Sequence, residues 1–265
     1  MTTVSSKDGT TIAYAKQGQG HPVILVDGAL CYRSFGPMPH LAELLSPHFT
    51  VYTYDRRGRG ESSNSRPYAV EREVEDLDAL IQAAGGEAYL YGISSGACLV
   101  LETAIRLGKK TPKIALYEPP YNPDKGSIKA WKDYRHNLTE LLAAGRRGDA
   151  AALFMQFVGT PADQVAGMRQ APMWPMFEGV APTLAYDAAA MGEDRLPPVK
   201  RAAAVKVPAL LMDGGANLAF LPFMHATSLA LSKVIPHAVQ RTLEGQTHDV
   251  KTEVLAPVLV EFFNS

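Results

Sequence analysis

Leu90–Val100 reads LYGISSGACLV. A short apolar run enters Gly92 and Ile93, meets the pair Ser94-Ser95 and Gly96, and turns apolar again. Upstream, EAYLYG (Glu87–Gly92) has the length and composition of a buried strand. Downstream, ACLVLETAIRLG (Ala97–Gly108) reads as a helix, and the lysines after Gly108 suit a helix C-terminus. G-x-S-x-G between a strand and a helix is the setting of a nucleophile elbow: the glycines let the two elements cross closely, and the serine at the bend presents its Oγ. Ser94 is the candidate nucleophile. Small residues also gather in chemically silent turns, so the flanking elements carry this reading.

Outward from the elbow the same alternation recurs. Strand-length runs stand at Thr11–Gly18, Pro22–Gly28, Thr50–Asp55, Lys113–Glu118, Pro208–Gly215 and Ala238–Gly245, each closing near Gly, Asp or Glu. Between them lie helical patterns. VEREVEDLDALIQAAGG (Val70–Gly86) sets Val70, Val74, Leu77 and Ile81 three and four apart and stops at paired glycines. EVLAPVLVEFF (Glu253–Phe263) reads as a closing helix, with Pro257 a mark against its continuity. Strands alternating with helices predict a mostly parallel sheet of about eight strands covered on both faces. From Tyr121 to Arg201 the rhythm breaks: two helical stretches precede a Pro, Met and aromatic segment, Ala171–Met191. The expected organisation is a core of residues 1–120 and 202–265, with residues 121–201 as a helical cap that excludes water and shapes a pocket.

The bulk properties exclude several classes. Hydrophobic residues make up 46% of the 265 and charged residues 20%, with a formal net charge of −1, so the chain can build a large core and no basic footprint invites nucleic acid. The N-terminal residues carry no targeting pattern and no apolar run is long enough to span a bilayer; the expectation is a cytoplasmic protein with no membrane partner. Cys31 and Cys98 read as reduced thiols. No metal-ligand spacing or phosphate-binding loop is present, so no cofactor and no metal are expected. A homo-oligomer is left open.

A serine hydroxyl needs a base. Of seven histidines, His248 stands apart: it follows the last strand, in GQTHDV (Gly245–Val250), where the order nucleophile, acid, histidine puts the base. Glu118 ends the strand that follows the nucleophile helix and precedes Pro119-Pro120. In a parallel sheet its carboxylate emerges at the same edge as Ser94, which makes it the candidate acid.

These stretches, with VILVDGAL (Val23–Leu30) and YTYDRRGRGES (Tyr52–Ser62), resemble the α/β-hydrolase superfamily over nearly the whole chain outside the insertion. The resemblance implies a three-layer α/β-hydrolase fold and an oxyanion hole from the backbone N–H groups of Ala29 and Ser95. It departs from the family twice. Asp27 replaces the usual His before Gly28, and Asn217 stands where the acid usually falls. Asp213 comes too early and Asp249 adjoins His248. Some members of the superfamily, haloalkane dehalogenases among them, carry the acid at the position of Glu118. On this reading Asn217→Ala changes turnover little, and the arginines of DRRGRGES are structural or solvated.

A patchier resemblance, in LVDGAL, SSGAC, YEPPY and PMWPMF, is to the zearalenone lactonases and implies ester or lactone hydrolysis without fixing a substrate. Met173, Trp174, Met176 and Tyr186, with Leu30 and Cys31 beside the oxyanion strand, are the candidate substrate-binding residues for a small apolar or aromatic ester or lactone. Packing of the insertion onto the core is the plainer role for the same side chains. A C–C bond hydrolase, a cofactor-free cyclase or perhydrolase, and a low-turnover ligand-binding protein are the rival readings.

Overall fold

The computed structural model describes residues 2–265. Eight strands form one sheet: β1 (Thr2–Ser5), β2 (Thr11–Gln17), β3 (Pro22–Val26), β4 (Thr50–Tyr54), β5 (Tyr89–Ile93), β6 (Ile114–Tyr117), β7 (Ala209–Gly214) and β8 (Ala238–Leu243). Their order is β1-β2-β4-β3-β5-β6-β7-β8. β1 and β2 are antiparallel to their neighbours and the other pairings are parallel. β1 escaped the sequence pattern because it is a short polar edge strand that pairing with β2 alone defines.

The helices are α1 (Met38–Leu45), α2 (Val70–Ala83), α3 (Ser95–Leu107), α4 (Ile128–Ala143), α5 (Arg147–Phe157), α6 (Ala162–Met168), α7 (Trp174–Val180), α8 (Leu184–Ala190), α9 (Val199–Ala202), α10 (Pro222–Ser232) and α11 (Thr252–Asn264). Alternation along the strands sorts side chains to two faces. Ile24, Val26, Leu90, Ile114, Leu116 and Leu211 pack with Leu77, Leu80 and Ile81 of α2, the middle of α3 and Leu231 of α10. Val23, Leu25, Tyr91, Ala115, Tyr117 and Met212 pack with Leu41 and Leu45 of α1 and Leu255, Leu259 and Phe263 of α11. The three layers follow. α11 runs unbroken through Pro257, contrary to the sequence expectation: the proline lies on the exposed side of the helix, and so does Glu253 one turn before it.

α4–α9 fill the interval between β6 and β7 with no strand among them. Trp131, Leu138, Ala150, Ala151 and Leu184 from this insertion join the α2–α3 side of the core. The parallel strands β3, β5, β6, β7 and β8 all end at the rim that these helices cover, which brings Asp27–Ala29, Ser94, Glu118 and the Gly245–Val250 loop to one place. Among the described residues no helix is long and apolar enough to cross a membrane.

Candidate active site

The elbow is strained where the motif requires it. Ser94 has φ 57° and ψ −130°, a conformation that side chains rarely adopt. Its N–H donates to Tyr117 O at 3.0 Å, extending the β5–β6 ladder one residue past the strand. A Cβ on Gly92 would lie 2.5 Å from Gly96 O, and one on Gly96 would collide with the carbonyl oxygens of Val26 and Asp27. Both glycines are demanded by close backbone crossing. A Cβ on Gly28 would sit 3.0 Å from Ser94 Cβ, so the end of β3 lies against Ser94.

Glu118 follows β6 with φ 45° and is fully buried. Its Oε2 lies 2.7 Å from His248 Nδ1. Oε1 accepts from Gly214 N at 2.8 Å, and Asn217 Nδ2 donates to both oxygens at 2.9 and 3.0 Å. Burial pushes the carboxyl up, but the bond and charge of His248, the Gly214 N–H and the Asn217 amide outweigh it and hold it below the usual carboxylate range. The histidine loop is pinned as well: Tyr117 Oη donates to Thr247 O at 2.5 Å and Ala216 N to Gln246 O at 2.9 Å. Asn217 therefore does not idle at the family's acid position. It braces Glu118, the candidate acid. Asp213, the nearer Asp, is committed elsewhere, to His225 Nδ1 at 3.0 Å and to Gln240 and Thr242.

Ser94, Ser95, Ala29 and His248 line a cavity of about 460 Å³ together with Asp27, Cys31, Trp131, Tyr134, Phe157, Arg195 and Phe223. Among the described residues Ser94 Oγ has no hydrogen-bond partner in the protein, and neither does the N–H of Ala29 or Ser95. Both thiols are free, and burial pushes Cys31 and Cys98 up to about 12, which leaves no thiolate nucleophile at neutral pH. A more open hollow of about 700 Å³ at Glu71, Glu102, Arg106 and Arg201 presents no serine, cysteine or histidine.

Of the residues expected to bind substrate, Cys31 lines the cavity. The other five do not. Leu30 turns into the core with φ 61°. Trp174 is buried against Phe177 and donates to Glu178 Oε1 at 2.9 Å, so it packs the cap internally. Met173 and Met176 are solvent-exposed. The Tyr186 ring stacks 3.8 Å from Tyr68, with its hydroxyl bonded to Asn64. An aromatic cavity does form, but from α4, α5 and α10: Trp131, Tyr134, Phe154, Phe157 and Phe223. Proline-rich aromatic composition could not tell which helix face of the insertion looks inward.

The sequence also missed a buried ionic frame. Arg56, Arg57 and Arg59 are at most 1% exposed, so the structural reading of these arginines stands and the solvated one falls. Arg57 pairs with Asp76 and Asp8. Arg56 holds Glu73 and Asp187, and Arg59 holds both oxygens of Asp187 and the carbonyls of Gly28 and Cys31. Ser95 Oγ donates to Asp187 at 2.7 Å. One aspartate on α8 thus ties the helical insertion to the end of β3 and to the bend at Ser94-Ser95. Burial raises its carboxyl, yet Arg59, Arg56 and the Ser95 bond bring it below the usual range. A lone Asp in the alanine-rich LAYDAAA of α8 was the available signal. Asp27 is the opposite case: buried with Oδ1 unpartnered, it is pushed up to about 7 by burial, and the attraction of Arg59 and Arg56 does not compensate.

A strained serine bend, a histidine on the loop after the last strand and a doubly wound sheet define an α/β-hydrolase fold. The family model described as the alpha/beta hydrolase family matches residues 18–253, and the chain belongs to that family. An alpha/beta hydrolase of known structure from Sphaerobacter thermophilus is 51% identical, with 99% of this chain and 100% of that one covered and a TM-score of 0.88. The uncharacterized hydrolase YraK of Bacillus subtilis is 32% identical over 115 residues, 42% of each chain. N-formylmaleamate deformylase of Pseudomonas putida is 33% identical over 107 residues, 39% of each chain. The chain therefore matches about two fifths of the length of these curated relatives.

Proposed function

We propose that this chain is a serine hydrolase that cleaves a carboxylic ester or lactone through an acyl-enzyme, with Ser94 as nucleophile, His248 as base and Glu118 as acid. The observation that carries the reading is the 2.7 Å contact of His248 Nδ1 with buried Glu118 Oε2 at the rim that presents Ser94. Glu118 fixes the proton on Nδ1, which leaves Nε2 to take the proton of Ser94 as Oγ attacks the carbonyl carbon. The unpartnered N–H groups of Ala29 and Ser95 receive the oxyanion, a contribution of about 3 kcal/mol per donor. His248 then gives the proton to the departing alcohol oxygen. Water enters by the reverse route and releases the acid. The aromatic lining favours an apolar or aromatic group beside the carbonyl.

A fluorophosphonate probe and phenyl acetate hydrolysis test the reading. Wild type is expected to be labelled stoichiometrically and to release phenol; Ser94→Ala is expected to lose both. Labelling or turnover that survives in Ser94→Ala overturns the assignment. N-Formyl amides belong in the same panel because one relative bears the deformylase name.

A further inference from the structure

Arg195 sits on the loop between α8 and α9 with φ 59°, and its carbonyl accepts from Asn122 N at 2.7 Å. Its guanidinium carbon lies 5.5, 5.3 and 5.0 Å from the ring centres of Trp131, Phe157 and Phe223. Nε donates to Pro120 O at 2.6 Å. Among the described residues the two Nη groups make no hydrogen bond and no ion pair, and they are not sealed off from space. Arg56, Arg57 and Arg59, the other deeply placed arginines, each hold at least one carboxylate. A guanidinium taken largely out of water without a counter-ion is costly to keep charged. Burial brings Arg195 down only to about 10, so it remains a cation at neutral pH.

We propose that Arg195 is a subsite for a carboxylate carried by the substrate, so that the ester or lactone cleaved at Ser94 belongs to a molecule with a free acid group. Among the described residues Arg195 is the only lysine or arginine lining the cavity. The three aspartates that share the lining do not supply its counter-ion. Asp187 is taken up by Arg56 and Arg59, Asp249 is solvent-exposed on the histidine loop, and Asp27 Oδ1 has no hydrogen-bond partner at all. The free Nη pair is a planar two-point fork, which matches the two oxygens of a carboxylate better than a tetrahedral anion. The surrounding rings exclude water and strengthen the pairing while offering flat surface to the chain between acid and scissile carbonyl. The apolar substrate inferred from composition is thereby refined to an amphipathic one, apolar along its body and anionic at one end.

The placement of the scissile carbonyl rests on the hydrolase reading above; the anion site does not. The test uses monophenyl adipate and its neutral counterpart, methyl phenyl adipate. Wild type is expected to prefer the acid in kcat/KM, and in Arg195→Met the ratio of acid to neutral ester is expected to fall about 100-fold, with Arg195→Lys between. In Ser94→Ala, calorimetry is expected to show tighter binding of the acid than of the neutral ester, a preference that Ser94→Ala with Arg195→Met loses. A wild type without acid preference, or an Arg195→Met that lowers both esters by the same factor, overturns the proposal and leaves Arg195 as a loop anchor. If neither ester is turned over, the hydrolase reading fails, and the calorimetric preference still decides the anion site.

Discussion

Glu118 and Asp27 are two carboxyl groups at the same strand rim, 0% and 3% exposed, and they go opposite ways. Burial drives both upward. Glu118 meets His248, the Gly214 N–H and the Asn217 amide and ends below its ordinary range. Asp27 keeps an unpartnered Oδ1, feels Asp55 as a like charge, and ends near 7. The charge of a buried acid at this rim is set by the donors aimed at it and not by depth. One acid is held as an anion suited to stabilising an imidazolium. The other is held between its neutral and charged forms near pH 7, beside Ser94, at the position where the family's usual residue is a histidine.

The largest expected effect breaks the first half of this contrast. Glu118→Gln keeps the shape and removes the charge, and kcat/KM for phenyl acetate is expected to fall on the order of 10³–10⁴-fold with the melting transition still cooperative. A fall of less than tenfold would mean that the carboxylate is only a strand-end brace. The second half is broken by a pH series. Asp27 has its pKa raised from 3.8 to about 7, so between those values the native state holds a proton that the unfolded chain has released, and stability falls as pH rises through that window. The loss is on the order of 4 kcal/mol at most. Asp27→Asn is expected to match wild type in urea midpoint near the lower bound and to exceed it increasingly toward the upper. Glu118 has the reverse sign: its depressed pKa contributes stability above the ordinary 4.5 that disappears as pH falls through the folded value. A wild-type-minus-Asn difference that stays flat with pH would remove Asp27 from the account.

The meeting of Ser94, His248 and Glu118 at one rim was legible in the sequence because each position is fixed by backbone order: a strand end, a loop after the last strand, a Glu before two prolines. The layers were legible for the same reason, since apolar spacing sorts Leu77 and Ile81 or Leu90 and Tyr91 to their faces without knowledge of partners. What stayed hidden depends on facing. Trp174 and Trp131 look alike in composition, yet one packs inside the cap and the other lines the cavity. Arg195 in GEDRLPP draws no reading from the sequence and Arg56 in DRRGRGES reads as structural or solvated; only tertiary placement distinguishes a cation with two carboxylates from one with none. Asn217 looked like a lost acid because one chain position was compared with a family pattern, while its partner lies 99 residues upstream.

That partnership yields the finest test of the contrast. Asn217 gives Glu118 two charge-assisted contacts, so Asn217→Ala is expected to lower kcat/KM about tenfold and to move the acid limb of the pH–rate profile upward, where the sequence alone implied little change. A merely structural role would lower stability without moving the limb. Asn217→Asp alone sets a second carboxylate on the first, and repulsion forces one of them to keep its proton. Combined with Glu118→Gln the same change becomes a relocation: the acid moves from the end of β6 to the turn after β7, and the amide introduced by Glu118→Gln becomes its brace. About tenfold recovery over Glu118→Gln alone is expected, since the new carboxylate shares the pocket but lacks the 2.7 Å line to Nδ1. Recovery to wild-type turnover would show that either strand end serves equally and that the exchange of acid and amide is neutral. No recovery would show that the backbone turn at Glu118, with its positive φ, is what aims the acid.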